Sequence, residues 1–438
     1  MFWMQFAVII GCIILGAKKA GVTIGFAGGL GLFILVFIFG LRPSTPPVDV
    51  LLIMVAIGSM AATLQAAGGL DYLVAIAERI LRRNPNHVTI VAPILTFFFT
   101  VFTGTTFVCM ALFPVISEVA MDAKVRGERP MSMALVAALH GITASPVSAS
   151  TAILVALLAP QGVTVGQVLL VNLPACFIGC MFAALSVYRR GLELEDDPIY
   201  KAKLESGELQ AVSSERKHYV PTREAKISVI IFTVAVASIV LLGSVRSLLP
   251  AWDVGGKRVA LSIPNVIEII SFTASCIMVL TCRIRPGKIS SSSVLSASTT
   301  GLIAIFGIAW MTDTFFMAHK DFLITTLGGI VQDYPWLFAL ALFFMSALLL
   351  SQGATMRAMM PVGISLGLPV PSLVAMAPAV CGVNFLPTTG AAIATLAFDR
   401  SGTTRIGSFV LNHSFMRPGL VATSLSVAIS FALAAVVF

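Results

Sequence analysis

Phe102-Thr103-Gly104-Thr105-Thr106 and Ser351-Gln352-Gly353-Ala354-Thr355 interrupt two otherwise apolar stretches of this chain. A proline follows each at the same offset, Gly104 to Pro114 and Ser351 to Pro361. A second interruption then comes in each half: Thr143-Ala144-Ser145-Pro146-Val147-Ser148, and Asn384-Phe385-Leu386-Pro387-Thr388-Thr389-Gly390. Irregular backbone survives at membrane depth only where protein buries it or a watery cavity bathes it. Paired breaks at corresponding positions of two halves point to the binding site of a secondary transporter.

Composition sets the class. With 58% hydrophobic and 11% charged residues, the chain reads as a polytopic membrane protein. The net charge of +8 sits in short connections, as topology requires, and no basic stripe with interleaved aromatics supports nucleic-acid binding. The first apolar run carries Lys18 and Lys19 after it rather than before it, unlike a cleavable signal. Seven cysteines lie in or beside apolar segments without a CxxC or His/Cys spacing, which argues for packing rather than metal or disulfide chemistry.

Spanning helices are expected at about 2–17, 21–40, 48–68, 166–187, 227–244, 264–282, 293–311 and 408–434. Gly21, Gly25, Gly28 and Gly29 give the second of these a face for close helix packing. Residues 71–85, with Glu78, Arg79, Arg82 and Arg83, read as an amphipathic interfacial piece. From His87 to Met121 the chain is too long for one span and short for two, which suits a re-entrant hairpin with its tip at Gly104-Thr105-Thr106. A second hairpin runs from Pro335 to Leu366. Broken helices cover Met131–Pro160 and Pro371–Phe398, and a proline inside each frees backbone groups. Residues 189–226 read as a solvated linker.

Charge tests this layout. With the N-terminus outside and each hairpin entering and leaving on one side, 21 of the 28 lysines and arginines fall inside. Only Arg357 and Arg417 fall within membrane segments. The halves then start with opposite orientation. The expected fold is an all-α polytopic membrane protein with an inverted-topology repeat: about ten spans, two re-entrant hairpins and two broken helices. Residues 1–188 form the first repeat, 189–226 a cytoplasmic linker and 227–438 the second repeat.

Breaks of this kind present unpaired N–H groups and positive dipole ends, which together suit an anion. Hydroxyls add hydrogen bonds to carboxylate oxygens or oxygens for a cation. Thr105, Thr106, Ser145, Ser148, Ser351, Gln352, Thr355, Asn384, Thr388 and Thr389 are the substrate-binding candidates. Helix capping is the plain alternative for any one of them. Arg357 joins them because an intramembrane arginine is a functional hypothesis by default and its fork fits a carboxylate; snorkelling competes. His140 is a weaker candidate for a proton site. Glu78, Arg82 and Arg126 form an expected charged cluster at the inner mouth of the first hairpin. No nucleophile–base pair or cluster of metal ligands accompanies the breaks, so an enzyme is disfavoured, and no filter-like repeat suggests a channel.

On these residues the chain resembles the Dcu family of anaerobic C4-dicarboxylate transporters. The specific stretches are GGLDYLVAIAERILRRNP (Gly68–Pro85), ERPMS (Glu128–Ser132), TASPVS (Thr143–Ser148) and FDRSGTTRIGSFVLNHSF (Phe398–Phe415). The resemblance implies transport of succinate, fumarate, malate or aspartate in the bacterial inner membrane, often by exchange. It also implies a transport role for Glu78, Arg82 and Arg126 and, for some members, a membrane sensor kinase as partner. By analogy with similar carriers a homodimer of elevator type is expected, and the charge placement puts both termini on the periplasmic side. No cofactor is expected; a coupling Na⁺ or H⁺ is the open alternative, with symport of another small organic anion or amino acid as the rival function. The chain departs from the family pattern at Thr106-Phe107, at Leu139 beside His140, and at Thr389-Gly390.

Overall fold

The computed structural model describes residues 1–17, 22–46, 48–206, 209, 220–319, 321–322, 325, 333–387, 389–407 and 412–438. Its elements are almost all helical. The first half holds α1 (Phe2–Ala17), α2 (Thr23–Phe33, prolonged by a π turn Ile34–Ile38), α3 (Val48–Ala66) and α4 (Gly69–Arg83). It continues with α5 (Val88–Thr103), α6 (Phe107–Met110), α7 (Phe113–Asp122), α8 (Glu128–Thr143), α9 (Ala149–Leu158) and α10 (Val165–Val187). After α11 (Pro198–Glu205), the second half holds α12 (Arg223–Ser244), β1 (Ala251–Val254), β2 (Lys257–Ala260), α13 (Ile263–Thr281), α14 (Pro286–Ser290) and α15 (Ser293–Ala318). It ends with α16 (Trp336–Leu349), α17 (Gln352–Ser365), α18 (Val370–Ala375), a 3₁₀ segment (Ala377–Asn384), α19 (Gly390–Phe398) and α20 (Met416–Val437).

Among the described residues, six helices are long and apolar enough to cross a membrane, or seven if α3 and α4 form one bent span. Their outer faces stay apolar: Leu170, Phe182 and Leu185 on α10, Ile230 and Val234 on α12, and Phe272 and Leu280 on α13 are exposed. Bilayer is the solvent that accepts such faces. α4 turns away from α3 by 72°. It buries Leu70, Ala77 and Leu81 on one stripe and keeps Glu78, Arg79, Arg82 and Arg83 off it, as an interfacial helix does.

Both halves repeat one order: three apolar helices, a hairpin, a broken helix and a closing helix. Packing follows the repeat. α2 lies on α15 as α13 lies on α3, and the closing helices α10 and α20 lie on each other. Glycine explains the close approach. A Cβ on Gly25 would strike the Ile303 carbonyl, and one on Gly28 would strike the Gly307 backbone. Gly29 faces open space, so it is not part of that seam, and Gly21 lies outside the described residues.

Two features depart from the sequence reading. The connection before α13 is not plain loop but a β-hairpin, with Ala251 paired to Ala260 and Val254 to Lys257. Its turn is Gly255-Gly256, both at positive φ, the conformation a two-residue hairpin turn needs. The linker is also not solvated throughout. Its first part docks on the protein: Leu194 and Asp197 are buried, and α11 starts at an Asp197 cap.

Candidate functional site

The first hairpin enters along α5, turns at Gly104 with φ +72° and returns through α6 and α7. The arms are stapled by Cys109, whose Sγ lies 2.9 Å from Thr100 Oγ1 and donates to the Thr96 carbonyl at 3.2 Å. Arg82, just before α5, pairs with Glu118 at 2.9 Å and Asp122 at 3.7 Å near the end of α7. Both arms therefore start and finish at the same end of the molecule, which makes this a re-entrant hairpin. In the second hairpin α16 turns at Leu350 (φ +52°) into α17, and Gly363 of the returning arm sits against Phe338 of the entering one. This hairpin also closes on itself.

Three of the interrupted segments meet within the protein. Ser145 Oγ donates to the Val101 carbonyl at 2.7 Å and accepts from Val147 N at 3.3 Å, so the first break braces the first hairpin. Gly104 abuts Val147 so closely that a Cβ would lie 2.6 Å from its oxygen. Gln352 Nε2, at the second tip, donates to the Leu139 carbonyl at 2.8 Å, and its Oε1 accepts from Thr143 Oγ1 at 3.3 Å. Cys381 of the 3₁₀ segment lies 3.4 Å from Thr143 Oγ1. The end of α8 is thus gripped by both tips and by the second broken helix.

Most candidate hydroxyls are already engaged. Ser148, Ser351 and Thr389 are N-caps, accepting from Thr151 N, Ala354 N and Ala392 N at the starts of α9, α17 and α19. Thr355 Oγ1 donates to the Ser351 carbonyl at 2.7 Å, and Thr103 Oγ1 donates to the Thr105 carbonyl at 3.2 Å. Ser145, Ser148 and Thr355 are fully buried and Thr106 nearly so. Thr388 lies outside the described residues. Asn384 differs from all of these. It is buried, faces Gly419, and neither its amide oxygen nor its nitrogen has a partner among the described residues.

Arg357 is placed elsewhere than at the meeting of the tips. It projects from α17 toward α15, where its Nε lies 3.6 Å from Asp313 Oδ2. Both line a cavity of about 620 Å³ together with Arg42, Ser44, Pro361 and Ser365. Asp313 was missed in the sequence, although a lone acid in the apolar stretch 302–317 is itself a functional flag. His140 is fully buried and fixed by both nitrogens, to the Val136 carbonyl at 2.8 Å and Thr423 Oγ1 at 3.2 Å. Arg417 is exposed in the first turn of α20.

The expected charged cluster divides in two. Arg82 gathers Glu78, Glu118 and Asp122. Partial burial works against its charge, but the hydrogen bonds and charges of Glu118 and Glu78 outweigh that and raise its pKa above the ordinary value. Arg126 belongs to a second group, paired with Asp197 at 2.8 Å and Glu128 at 3.0 Å rather than with Glu78. The reason is the docked linker, which brings an acid to Arg126 that sequence distance hid. Neighbouring Arg129 holds the same segment, donating to the carbonyls of Arg190, Gly191 and Leu192.

Comparison with known proteins bears directly on this architecture. Residues 1–438 match the family described as the anaerobic C4-dicarboxylate membrane transporters. The chain belongs to that family. The anaerobic C4-dicarboxylate transporter DcuB of Escherichia coli O6:H1 is 37% identical over 435 residues, 97% of each chain. The C4-dicarboxylate transporter DcuA of Wolinella succinogenes is 36% identical over 440 residues, 99% of each. Among solved structures, the YdaH transporter of Alcanivorax borkumensis, described as having an unusual topology, shares the fold. Its TM-score is 0.53 at 15% identity, over 99% of this chain and 97% of that one. This protein is a multi-pass membrane protein of a transporter family.

Proposed function

We propose that this protein carries C4-dicarboxylates across the membrane by exchange through alternating access. The family match over the whole chain names the substrate class. The observation that carries the mechanism is the gripping of one broken helix by both hairpin tips, through Ser145 and Val101 on one side and Thr143 and Gln352 on the other. A group of elements locked together in this way moves as a unit, and α1, α2, α3, α12, α13 and α15 serve as the frame it moves against. The two repeats, 1–188 and 227–438, are inverted with both termini periplasmic, and the frame provides the surface of a homodimer.

Asn384 is the first candidate for a substrate carboxylate, since its amide has no partner among the described residues. The backbone starts of α9, α17 and α19 supply positive dipole ends, with Thr105, Thr106, Ser351 and Thr389 at their rims. The buried hydroxyls of Ser145, Ser148 and Thr355 hold those ends in shape.

Uptake of labelled succinate into proteoliposomes tests this, with fumarate preloaded or absent and with or without a Na⁺ gradient. Uptake that depends on preloading supports exchange. Uptake into empty vesicles that needs Na⁺ would replace exchange by symport. No succinate uptake from folded protein would overturn the substrate assignment.

A further inference from the structure

The cavity of about 620 Å³ beside Arg357 lies between α17, assigned above to the moving unit, and α15 with loop 41–46, assigned to the frame. One wall is frame. Loop 41–46 is fastened to α15 by Ser44, whose N–H donates to Thr314 Oγ1 at 3.2 Å and whose carbonyl accepts from Trp310 Nε1 at 2.7 Å. Arg42 and Asp313 therefore belong to one rigid wall. The other wall is α17, the returning arm of the second hairpin, which carries Arg357, Pro361 and Ser365. The Arg357–Asp313 pair is thus a tie across the seam.

That tie is loose. At 3.6 Å it is ionic but too long for a hydrogen bond, and Arg357 is about a quarter exposed to the cavity. A guanidinium has five N–H donors in a planar fork, and a carboxylate that meets the fork squarely makes two short bonds. Arg42 lines the same space, and no acid among the described residues lies within ion-pair distance of it. Two guanidiniums against one carboxylate leave the cavity cationic. Its volume falls inside the range of roughly 300–1,000 Å³ that small-molecule sites occupy.

We propose that this cavity loads the dianion: Arg42 on the α15 wall draws it in, one substrate carboxylate then takes Arg357 from Asp313, and occupancy thereby unties the second hairpin from α15. This rests on the dicarboxylate reading and supplies a cause for exchange. An unliganded carrier keeps Arg357 on Asp313 and stays put, because an arginine without a counter-charge is costly at this depth. A loaded carrier has a better partner for Arg357 and is free to move.

The test uses the full-length protein. Succinate and butyrate binding are measured by calorimetry in nanodiscs, and flux is measured in proteoliposomes. Arg42→Gln, at an exposed position, is expected to weaken succinate by about tenfold and butyrate hardly at all. Arg357→Lys keeps the charge but not the fork, and is expected to weaken both ligands. Asp313→Asn is expected to let succinate into empty vesicles that the wild type leaves unfilled. Succinate binding to Arg42→Gln and Arg357→Lys at wild-type strength, with wild-type exchange intact, would overturn the proposal and leave the dicarboxylate reading standing. An Asp313→Asn protein that exchanges normally but never leaks would remove the tie. Absence of succinate binding and exchange in the wild type would instead overturn the dicarboxylate reading, and this proposal with it.

Discussion

Replacing Gly104 by alanine puts the hairpin architecture under the most direct strain. Two costs can be read from the structure. Gly104 holds φ at +72°, a region that costs a residue with a Cβ roughly 1–2 kcal/mol. The added Cβ would also stand 2.6 Å from the Val147 carbonyl oxygen and 2.9 Å from its carbon. Both atoms are backbone, so neither can rotate away, and overpacking of this kind typically costs about 1–3 kcal/mol. Gly104→Ala should therefore destabilise the protein by about 2–5 kcal/mol and push the first tip off the first break. Gly29→Ala is the paired control. Gly29 sits in α2 with nothing within 4 Å, so alanine there should gain about 0.8–1 kcal/mol of helix propensity. Thermal unfolding of the two variants in the same detergent, alongside succinate exchange, reads out both signs. A Gly104→Ala protein that melts and exchanges like the wild type would refute the placement of the tip against Val147.

Three further expectations follow from the charged and buried groups. Arg126→Leu strands Asp197, whose side chain is only 3% exposed, and should cost about 3 kcal/mol; adding Asp197→Asn should recover part of that loss in a double-mutant unfolding cycle. Arg82→Gln removes a partly exposed network, so unfolding should shift by no more than about 1 kcal/mol per lost pair, while exchange falls by about tenfold as α7 loses its tie to α4. His140→Gln should leave the shape of the pH–flux profile unchanged, because the imidazole is buried with both nitrogens bonded inside the protein; loss of a titration limb in that variant would reinstate it as a proton carrier.

Backbone design was more legible in the sequence than side-chain partnership. The breaks are local events: Gly104, Ser145-Pro146 and Ser351 change what the backbone itself can do, so the hairpins and broken helices stand where they were expected. The interfacial α4 was legible for the same reason, since its stripe is written in residues three and four apart. Partnership is set at long range. Nothing near Arg126 in the sequence signals Asp197, and nothing near Arg357 signals Asp313. The turn into α17 also lies one residue earlier than the polar signal, at Leu350, a residue type that seldom takes positive φ. The β-hairpin was missed although Gly255-Gly256 marks it, because its strands are only four residues long.

The two halves share a backbone plan but divide the chemistry. The first hairpin has no charged residue between His87 and Glu118, and its break is filled by Ser145, Ser148 and Thr151 bonding to backbone and to one another. The second hairpin carries Arg357 near its tip, and the second break leaves Asn384 without a partner among the described residues. In the proposed mechanism two copies of one device allow motion in either direction, one hairpin opening toward each side. Substrate discrimination needs only one set of charged groups, and a second set would add the cost of another arginine at membrane depth. In the proposed mechanism the first half therefore braces the moving body, while the second carries its recognition groups. Changes at Ser145 should accordingly act first on stability, and changes at Arg357 first on which anion is taken.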